Sequence, residues 1–279
     1  MKNYSFVIPH KNTPDLLNRC LDSIPQRSDI EIIVVDDASD KGLIPHVNRD
    51  DVKVYYLKES KGAGRARNIG LRESTGKWVL FADCDDYYEN GFLIELDNFI
   101  DSNYDIIYFD YKSNLHSAEK ETKFQKQLKA MLQNEAKEKA NFKHLINAPW
   151  NKMYRMEFVK SNQIRFEEIP IQNDAYFVHL AASLTDNISY INKQLYFYEI
   201  KENGISRKKR KKEDIELSIT TAIKCDKLKA ASGAWKCISI YWHKIDTYKK
   251  EYGILFVLKL YLRRIRSGLL WYALKIYLS

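Results

Sequence analysis

The sequence predicts an α/β fold: a mostly parallel sheet with helices on both faces, followed by a basic helical extension at the C-terminus. Strand-like and helix-like segments alternate through the first half of the chain, as they do in open, mostly parallel sheets. The run Ile30–Val35 is almost continuously apolar, which is typical of a parallel strand covered on both sides. The charge is uneven, because residues 201–279 contain 19 Lys/Arg against 7 Asp/Glu, while the whole chain has a net charge of +8.

The elements follow one another in a regular order. Tyr4–Ile8 is a short β-rich run, and Pro14–Ile24 repeats its apolar residues with a helical period after a proline suited to the first turn. Asn173–Leu184 predicts a helix, and Ile188–Tyr198 predicts a β-hairpin. Between these segments we expect strand Val52–Leu57, helix Gly64–Thr75, strand Lys77–Ala82, a helix within 91–100 and strand Asp105–Asp110.

Length and composition describe an ordinary folded protein. The 279 residues suffice for one large domain with an appendage, and we expect a main domain at residues 1–200 and a basic helical region at 201–279. The four cysteines have neither C-x-x-C nor metal-ligand spacing, which indicates reduced thiols. The apolar run near Met1 is too short for a signal peptide, so we expect a cytoplasmic protein.

Carboxylates directly follow two of the predicted strands. Asp36 and Asp37 end one strand, and Asp83, Asp85 and Asp86 follow another. Ligands of open α/β sheets bind beyond the carboxyl ends of the strands, so these acids mark a candidate site. In an extended segment Asp83 and Asp85 point the same way, about 6–7 Å apart, which suits a hard divalent ion that also binds substrate phosphates. The alternative is an acidic turn or a helix cap.

Four segments resemble, in the same order, those of one enzyme family. They are residues 6–24 (FVIPHKNTPDLLNRCLDSI), 30–40 (IEIIVVDDASD), 62–86 (GAGRARNIGLRESTGKWVLFADCDD) and 148–168 with 173–177 (APWNKMYRMEFVKSNQIRFEE and NDAYF). Over about the first 200 residues the chain is therefore similar to the family 2 glycosyltransferases of bacterial surface polysaccharide synthesis. The resemblance implies a Rossmann-like GT-A fold and an inverting enzyme that uses a nucleotide-sugar donor.

The resemblance also implies catalytic and metal-binding roles. Asp85 and Asp83 would bind Mn²⁺ or Mg²⁺, which would bridge the diphosphate of the donor. Asp174 would be the general base that takes the proton from an acceptor hydroxyl. A carboxylate at the start of a helix is also favoured by the helix dipole, which is the alternative explanation of Asp174.

Donor-binding roles are implied in the same way. The residues concerned are Pro9, Asp37, Arg67, Asn68 and Asp83, with Asp37 facing the nucleotide base, usually uracil. Two of these residues have structural alternatives, because Asp37 suits an Asx turn and Arg67 suits a salt bridge to one of the acids.

The sequence departs from the family pattern at three places. Lys11 stands where many relatives have an aromatic residue that stacks on the base, and Asn173 replaces the glutamate that usually precedes the base. After Phe197 and Tyr198 the chain lacks the usual arginine, which leaves Lys201 or Arg207 as a candidate cation for the diphosphate.

The basic C-terminal region predicts a membrane contact. In residues 254–279, Lys259, Arg263 and Arg266 share one helical face, and apolar residues cover most of the remainder. Each cation costs roughly 2.5–3.5 kcal/mol at a bilayer centre, so an amphipathic helix lying on an anionic membrane is expected rather than a spanning one. The alternative is a helix that docks on the main domain or on a second subunit of a homo-oligomer.

These observations predict a metal-dependent, inverting glycosyltransferase. As the resemblance implies, it would transfer a sugar from a UDP-linked donor to a polysaccharide or lipid-linked glycan, and we expect it to lie at the inner face of the cell membrane. A sugar nucleotidyltransferase would need a glycine-rich phosphate loop near the N-terminus, which the sequence lacks. A membrane-associated scaffold or nucleic-acid binder acting through the basic tail is the remaining alternative, but no nucleic-acid-binding motif supports nucleic acid as a partner.

Overall fold

The computed structural model describes residues 2–114, 121–201, 211–238 and 248–269. Within them, eight strands form one sheet in the order β3-β2-β1-β4-β7-β6-β8-β5. The neighbouring strands β3, β2, β1 and β4 are parallel to one another, whereas β7 enters antiparallel between β4 and β6. The strands are β1 (Tyr4–His10), β2 (Ile30–Asp36), β3 (Val52–Tyr56), β4 (Trp78–Phe81), β5 (Tyr87–Tyr88), β6 (Ile106–Ser113), β7 (Lys152–Arg155) and β8 (Ile188–Tyr198).

Helices cover both faces of this sheet, which confirms the predicted α/β class. A short 3₁₀ helix, Trp235–Cys237, follows the longest helix, α8. The α-helices of the described residues are α1 (Pro14–Asp22), α2 (Ala63–Glu73), α3 (Phe92–Asp97), α4 (Lys123–Gln133), α5 (Glu135–Lys143), α6 (Met156–Ser161), α7 (Ala175–Leu184), α8 (Lys212–Ala231), α9 (Lys249–Tyr252) and α10 (Ile254–Arg266).

The sheet separates two apolar cores. Tyr4, Phe6 and Ile8 of the fully buried β1 face the core under α1 and α3, while Val7 faces the second core. In the second core, the rings of Phe166 and Phe177 stack with centroids 4.0 Å apart. Because β1 is buried along its whole length and contributes to both cores, it has no face open to solvent and lies within the sheet.

Two glycines let α2 lie close against its neighbours. A Cβ at Gly64 would stand 2.1 Å from the carbonyl oxygen of Glu167, and one at Gly70 would stand 2.3 Å from a methyl carbon of Val7. No side chain fits at either position without moving its neighbours. The glycines of the GAGRARNIG segment therefore serve close helix packing, and this packing brings the N-terminal half of α2 to the carboxyl edge of the sheet.

The predicted hairpin at Ile188–Tyr198 is wrong: this segment is the single long strand β8. Its parallel pairing with β6 steps from Phe109–Ile191 to Asp110–Gln194, so Asn192 and Lys193 are accommodated by a local irregularity instead of a turn. A bulge of this kind bends a strand without reversing it. The strand continues past the bulge, and its C-terminal end reaches the acidic turn that follows β4.

The basic C-terminal helices pack on the main domain. Lys224 of α8 forms an ion pair with Glu167 at 2.5 Å, and α10 in turn packs on α8 through a buried ion pair between Arg264 and Asp226 at 2.8 Å. Part of the surface of α10 stays exposed, with Leu255 exposed by 80%. Among the described residues, no helix is both long and apolar enough to cross a membrane.

Two buried histidines, His144 at the end of α5 and His179 within α7, lie in contact with each other. The Nδ1 atoms of His144 and His179 are 3.0 Å apart, and His179 Nε2 lies 2.8 Å from the side-chain oxygen of Asn147. Burial, together with nearby lysines, lowers the pKa of His144 to about 3 and holds the pKa of His179 well below its usual range. Both rings are therefore neutral in the folded protein at mildly acidic pH.

We expect this pair to make the fold sensitive to acid. Unfolded histidines bind protons below pH 6.5 while the buried ones do not, so the free energy of unfolding should fall by about 2 kcal/mol per histidine from pH 7 to pH 5. Urea unfolding at several pH values should show a shallower pH dependence for His144→Gln. His46→Gln, which alters an exposed histidine, should match the wild-type slope. Equal slopes for all three proteins would contradict the assignment.

Candidate active site

The acidic segment after β4 forms a tight turn at the carboxyl edge of the sheet. The amide of Asp86 donates to the carbonyl of Asp83 at 3.0 Å, and the amide of Asp83 donates to the hydroxyl of Tyr196 at 3.1 Å. Side-chain exposure is 33% for Asp83 and 37% for Asp85. Two carboxylates are thus open to solvent, while the turn itself is attached to β8.

Arg67 links the turn to the start of α7. Its guanidinium donates to Asp83 at 2.5 Å and to the side-chain oxygen of Asn173 at 2.8 Å, and it lies over the ring of Phe166. Arg67 is buried. Arg67 was considered for donor binding or for a salt bridge to one of the acids, and the structure contains the salt bridge to Asp83. Through Asp83 and Asn173, Arg67 links the candidate donor side to the candidate acceptor side.

Asp85 is surrounded by cationic groups. Its carboxylate lies 3.0 Å from Lys201 Nζ, and its backbone carbonyl accepts from Arg19 at 2.5 Å. Arg19 also forms an ion pair with Glu199. The side chain of Asp85 is therefore held near the surface, between α1 and the segment that follows β8.

Asp86 anchors the turn and is buried. One carboxyl oxygen accepts from the amide of Glu199 and the other contacts the hydroxyl of Tyr196, both at 2.8 Å. Burial and the neighbouring charge of Asp83 raise the pKa of Asp86 to about 8. With both oxygens occupied inside the protein, Asp86 fixes the backbone from which Asp83 and Asp85 project.

Asp83 and Asp85 fit a divalent ion that a substrate helps to bind. The described residues contain no cluster of three or more potential ligands from His, Cys, Asp and Glu, so they offer no complete protein cage for a metal. Mg²⁺ and Mn²⁺ sites in phosphate-handling enzymes commonly use one or two carboxylates, with substrate phosphates as further ligands. Two part-exposed carboxylates on one anchored turn match that chemistry.

Asp174 stands at the N-terminus of α7, next to the Arg67 contact. Protein atoms enclose its carboxyl on most sides, and this desolvation raises its pKa, while the charge of Arg67 opposes the shift. Lys152, buried in β7, also experiences the charge of Asp174, although its own burial lowers its pKa to about 7. A carboxyl whose pKa lies above its usual range accepts a proton more readily near neutral pH.

Asp37 organises the loop that leads into α2. Its carboxylate accepts from the hydroxyl of Ser60 at 2.6 Å and from the amides of Lys61 and Gly62 at 2.8 and 2.9 Å. Lys11 Nζ also donates to Ser60 at 2.6 Å. The carboxylate of Asp37 thus holds a loop of the next βα unit in place. This role is structural, like the Asx turn considered for Asp37, but it involves a different loop.

The remaining predicted donor residues lie nearby. Pro9 is buried near the end of β1, paired with Val35 of β2. Asn68 uses both ends of its amide on the backbone of Phe166, donating at 3.0 Å and accepting at 2.9 Å. These contacts attach the segment after α6 to α2, so Asn68 is engaged within the protein, as Asp37 is.

Sequence reasoning missed several residues of the site. Arg19, Tyr196 and Glu199 support the acidic turn from α1 and β8, and Lys152 lies behind Asp174. Lys152 begins the four-residue strand β7, which also contains Tyr154 and Arg155, so its local sequence gives no sign of a buried lysine. The other three carry no local sign, because each is far from the turn in sequence.

Comparison with known proteins identifies relatives. The family model described as Glycosyl transferase family 2 matches residues 5–162. Glycosyltransferase GlyA of Streptococcus pneumoniae is 29% identical over 219 residues, which are 72% of this chain and 31% of that protein. Poly(ribitol-phosphate) beta-N-acetylglucosaminyltransferase TarS of Staphylococcus aureus is 26% identical over 215 residues, 73% of this chain and 36% of that protein. The chain thus spans about a third of the length of these two relatives.

Solved structures share the fold. S. aureus TarS 1–349 in complex with UDP-GlcNAc superimposes with a TM-score of 0.72 at 20% identity, covering 96% of this chain and 81% of that one. The mannosyltransferase PcManGT of Pyrobaculum calidifontis in complex with GDP-Man and Mn²⁺ has a TM-score of 0.57 at 12% identity, covering 97% and 82%. The fold is therefore GT-A, as expected.

We expect Tyr196→Phe to destabilise the protein. The variant leaves the amide of Asp83 and the carboxyl of Asp86 without their shared partner, which should lower the free energy of unfolding by about 1–3 kcal/mol. Tyr87→Phe is a matched control, because the Tyr87 ring stacks on Phe197 while its hydroxyl makes no hydrogen bond within the described residues. Denaturant unfolding measures both variants, and equal stabilities would contradict the anchoring role.

Proposed function

The chain belongs to glycosyl transferase family 2, and from this premise we propose that it is a metal-dependent, inverting glycosyltransferase. Its donor would be a nucleotide-sugar, UDP-linked, and its acceptor a polysaccharide or lipid-linked glycan. The observation that carries the proposal is Arg67, which joins the exposed Asp83 to the start of α7, where Asp174 lies. One buried guanidinium thus connects the candidate metal-binding turn to the helix start that carries the candidate base.

The donor would bind at the acidic turn. Asp83 and Asp85 would hold Mn²⁺ or Mg²⁺, and the bound ion would neutralise charge that develops on the departing diphosphate. The part-exposed positions of both carboxylates support this assignment. So do the nucleotides in the two similar structures, which are UDP-GlcNAc in one and GDP-Man with Mn²⁺ in the other.

Asp174 would act as the general base of a single displacement. It would take the proton of an acceptor hydroxyl while that oxygen forms a bond to the anomeric carbon of the sugar. The bond from this carbon to the diphosphate oxygen would break on the opposite face, and the nucleoside diphosphate would leave with the electron pair. This geometry inverts the anomeric configuration and requires no nucleophile from the enzyme. The raised pKa of Asp174 supports the role.

The acceptor would be a polymeric glycan. Relatives named as poly(ribitol-phosphate) transferases support this class, one transferring N-acetylglucosamine and another glucose. A sugar nucleotidyltransferase is less well supported, because family 2 matches the chain. A scaffold without activity would not need a carboxyl with a raised pKa beside an open acidic turn.

Asp174→Asn tests the catalytic assignment. The variant keeps the size and polarity of the side chain but removes the proton acceptor, so we expect kcat to fall about 10²–10⁴-fold. UDP should bind with unchanged affinity, since Asp174 makes no contact with the acidic turn that the structure describes. Transfer to a glycan acceptor and UDP binding by calorimetry are measured in parallel, and loss of both would show that Asp174 is misassigned.

We further propose that residues 201–279 attach the enzyme to an anionic membrane from the cytoplasmic side. The support is a surface that α8 and α10 form together, here called the α8–α10 face. A groove of about 870 Å³ opens there between the two helices, with Leu255, Leu258 and Leu262 along one side. Leu255 is exposed by 80%.

The charge of the α8–α10 face favours an anionic partner. Five cations line the groove, namely Lys224, Lys227, Lys259, Arg263 and Arg266. Lys224 pairs with Glu167, and Lys259 and Arg263 both pair with Glu216, so five cations face two carboxylates. Each Lys or Arg near an anionic lipid surface contributes about 1 kcal/mol, and exposed leucines gain further by entering the headgroup region. An anionic bilayer can bury the exposed leucines of this face and pair its headgroups with the cations.

Leu255→Ser with Leu262→Ser tests membrane attachment. We expect the full-length protein to bind vesicles of phosphatidylcholine and phosphatidylserine but not of phosphatidylcholine alone, and the double variant to bind at least about tenfold more weakly. Ile94→Ser with Leu132→Ser is the matched control, because those side chains are 69% and 62% exposed on other helices. Unchanged vesicle binding would contradict the proposal. Light scattering gives a second way to contradict the proposal. If the wild type is a dimer and only the leucine double variant is a monomer, a second copy of the chain covers the α8–α10 face instead of a membrane.

A further inference from the structure

Lys201 stands at the carboxylate that the proposed metal ion would use. Its ammonium nitrogen lies 3.0 Å from Asp85 Oδ2, and about a third of each side chain is exposed, 33% for Lys201 and 37% for Asp85. An ammonium at one oxygen of Asp85 repels a divalent cation at the same carboxylate, so the ion pair with Lys201 weakens metal binding there. Lys201 therefore competes with a metal at Asp85.

The backbone before Lys201 is held against the acidic turn. The amide of Glu199 donates to Asp86 at 2.8 Å, and that of Ile200 donates to the side-chain oxygen of Asn114 at 2.9 Å. Asn114 also donates to the carbonyl of Ile200 at 3.0 Å. These bonds fix where the lysine starts, while its four-carbon chain leaves the ammonium free to change position.

The two aspartates have different kinds of partner. Arg67, which pairs with Asp83, is buried and also bound to Asn173, so a change of partner would leave a buried charge uncompensated. Lys201 is part-exposed, and exposed ion pairs contribute little to stability. Of the two acids, Asp85 is therefore the one whose protein partner is easily replaced.

We propose that Lys201 competes with the divalent ion for Asp85 and, once ion and donor bind, moves to the diphosphate. The inference rests on the proposed metal-dependent function. The competition weakens metal binding in the absence of donor. Donor binding removes that penalty, because the diphosphate offers the ammonium a new anionic partner. Metal and nucleotide therefore bind cooperatively, and each strengthens the other by the same factor.

Calorimetry of Mn²⁺ binding to the full-length protein tests this proposal. Lys201→Met keeps the length of the side chain but removes its charge, so Mn²⁺ should bind about fivefold more tightly without nucleotide. UDP should then strengthen Mn²⁺ binding less than it does in the wild type, and kcat should decrease. Lys201→Arg, which keeps the charge, should retain the wild-type cooperativity.

Lys193→Met is the matched control, because Lys193 lies on β8, just before the segment that carries Lys201, and pairs with Glu95 at the surface. It should leave Mn²⁺ affinity, UDP affinity and kcat unchanged. A Lys201→Met variant that folds normally but binds Mn²⁺ with unchanged or weaker affinity would overturn the competition. If the wild type binds no Mn²⁺, with or without UDP, that result contradicts the proposed metal dependence. The proposed competition by Lys201 is then contradicted as well, because it requires metal binding.

Discussion

The arrangement of the site depends on the buried guanidinium of Arg67. One of its nitrogens pairs with Asp83 on the turn after β4, and another donates to Asn173 at the entrance to α7. Loss of Asp83 would leave the buried guanidinium without a charged partner, and loss of Asn173 would leave one of its N–H groups unpaired. The positions of the acidic turn and of Asp174 are therefore coupled through one side chain of α2.

Arg67 reaches both partners because α2 lies unusually close to its surroundings. Gly64 lies against the backbone of Glu167, and Gly70 lies against Val7 of the central strand. Asn68 adds two hydrogen bonds to the backbone of Phe166, whose ring supports the guanidinium from one side. The pattern of glycine and polar residues in this helix is thus explained by the position it gives to Arg67.

Much of the fold was predictable because its signals are local. Alternating segments, an apolar central strand and acids after two strands predicted the sheet and the edge at which the site lies. The bulge in β8 was not predictable, because its register depends on pairing with β6. The partners of the acids were also hidden: Tyr196 and Asp86 meet across 110 positions of sequence, and only the folded sheet brings them together.

The three aspartates of the turn differ in how firmly the protein binds each one. Asp86 is buried with a hydroxyl and a backbone amide, and Asp83 is tied to a buried arginine. Asp85 faces a part-exposed lysine on a flexible chain. Rigidity therefore decreases from the core toward solvent, along the direction from which a ligand must enter. A turn built in this way keeps its shape while one of its charges exchanges partners, and that combination suits the proposed binding and release of a charged diphosphate.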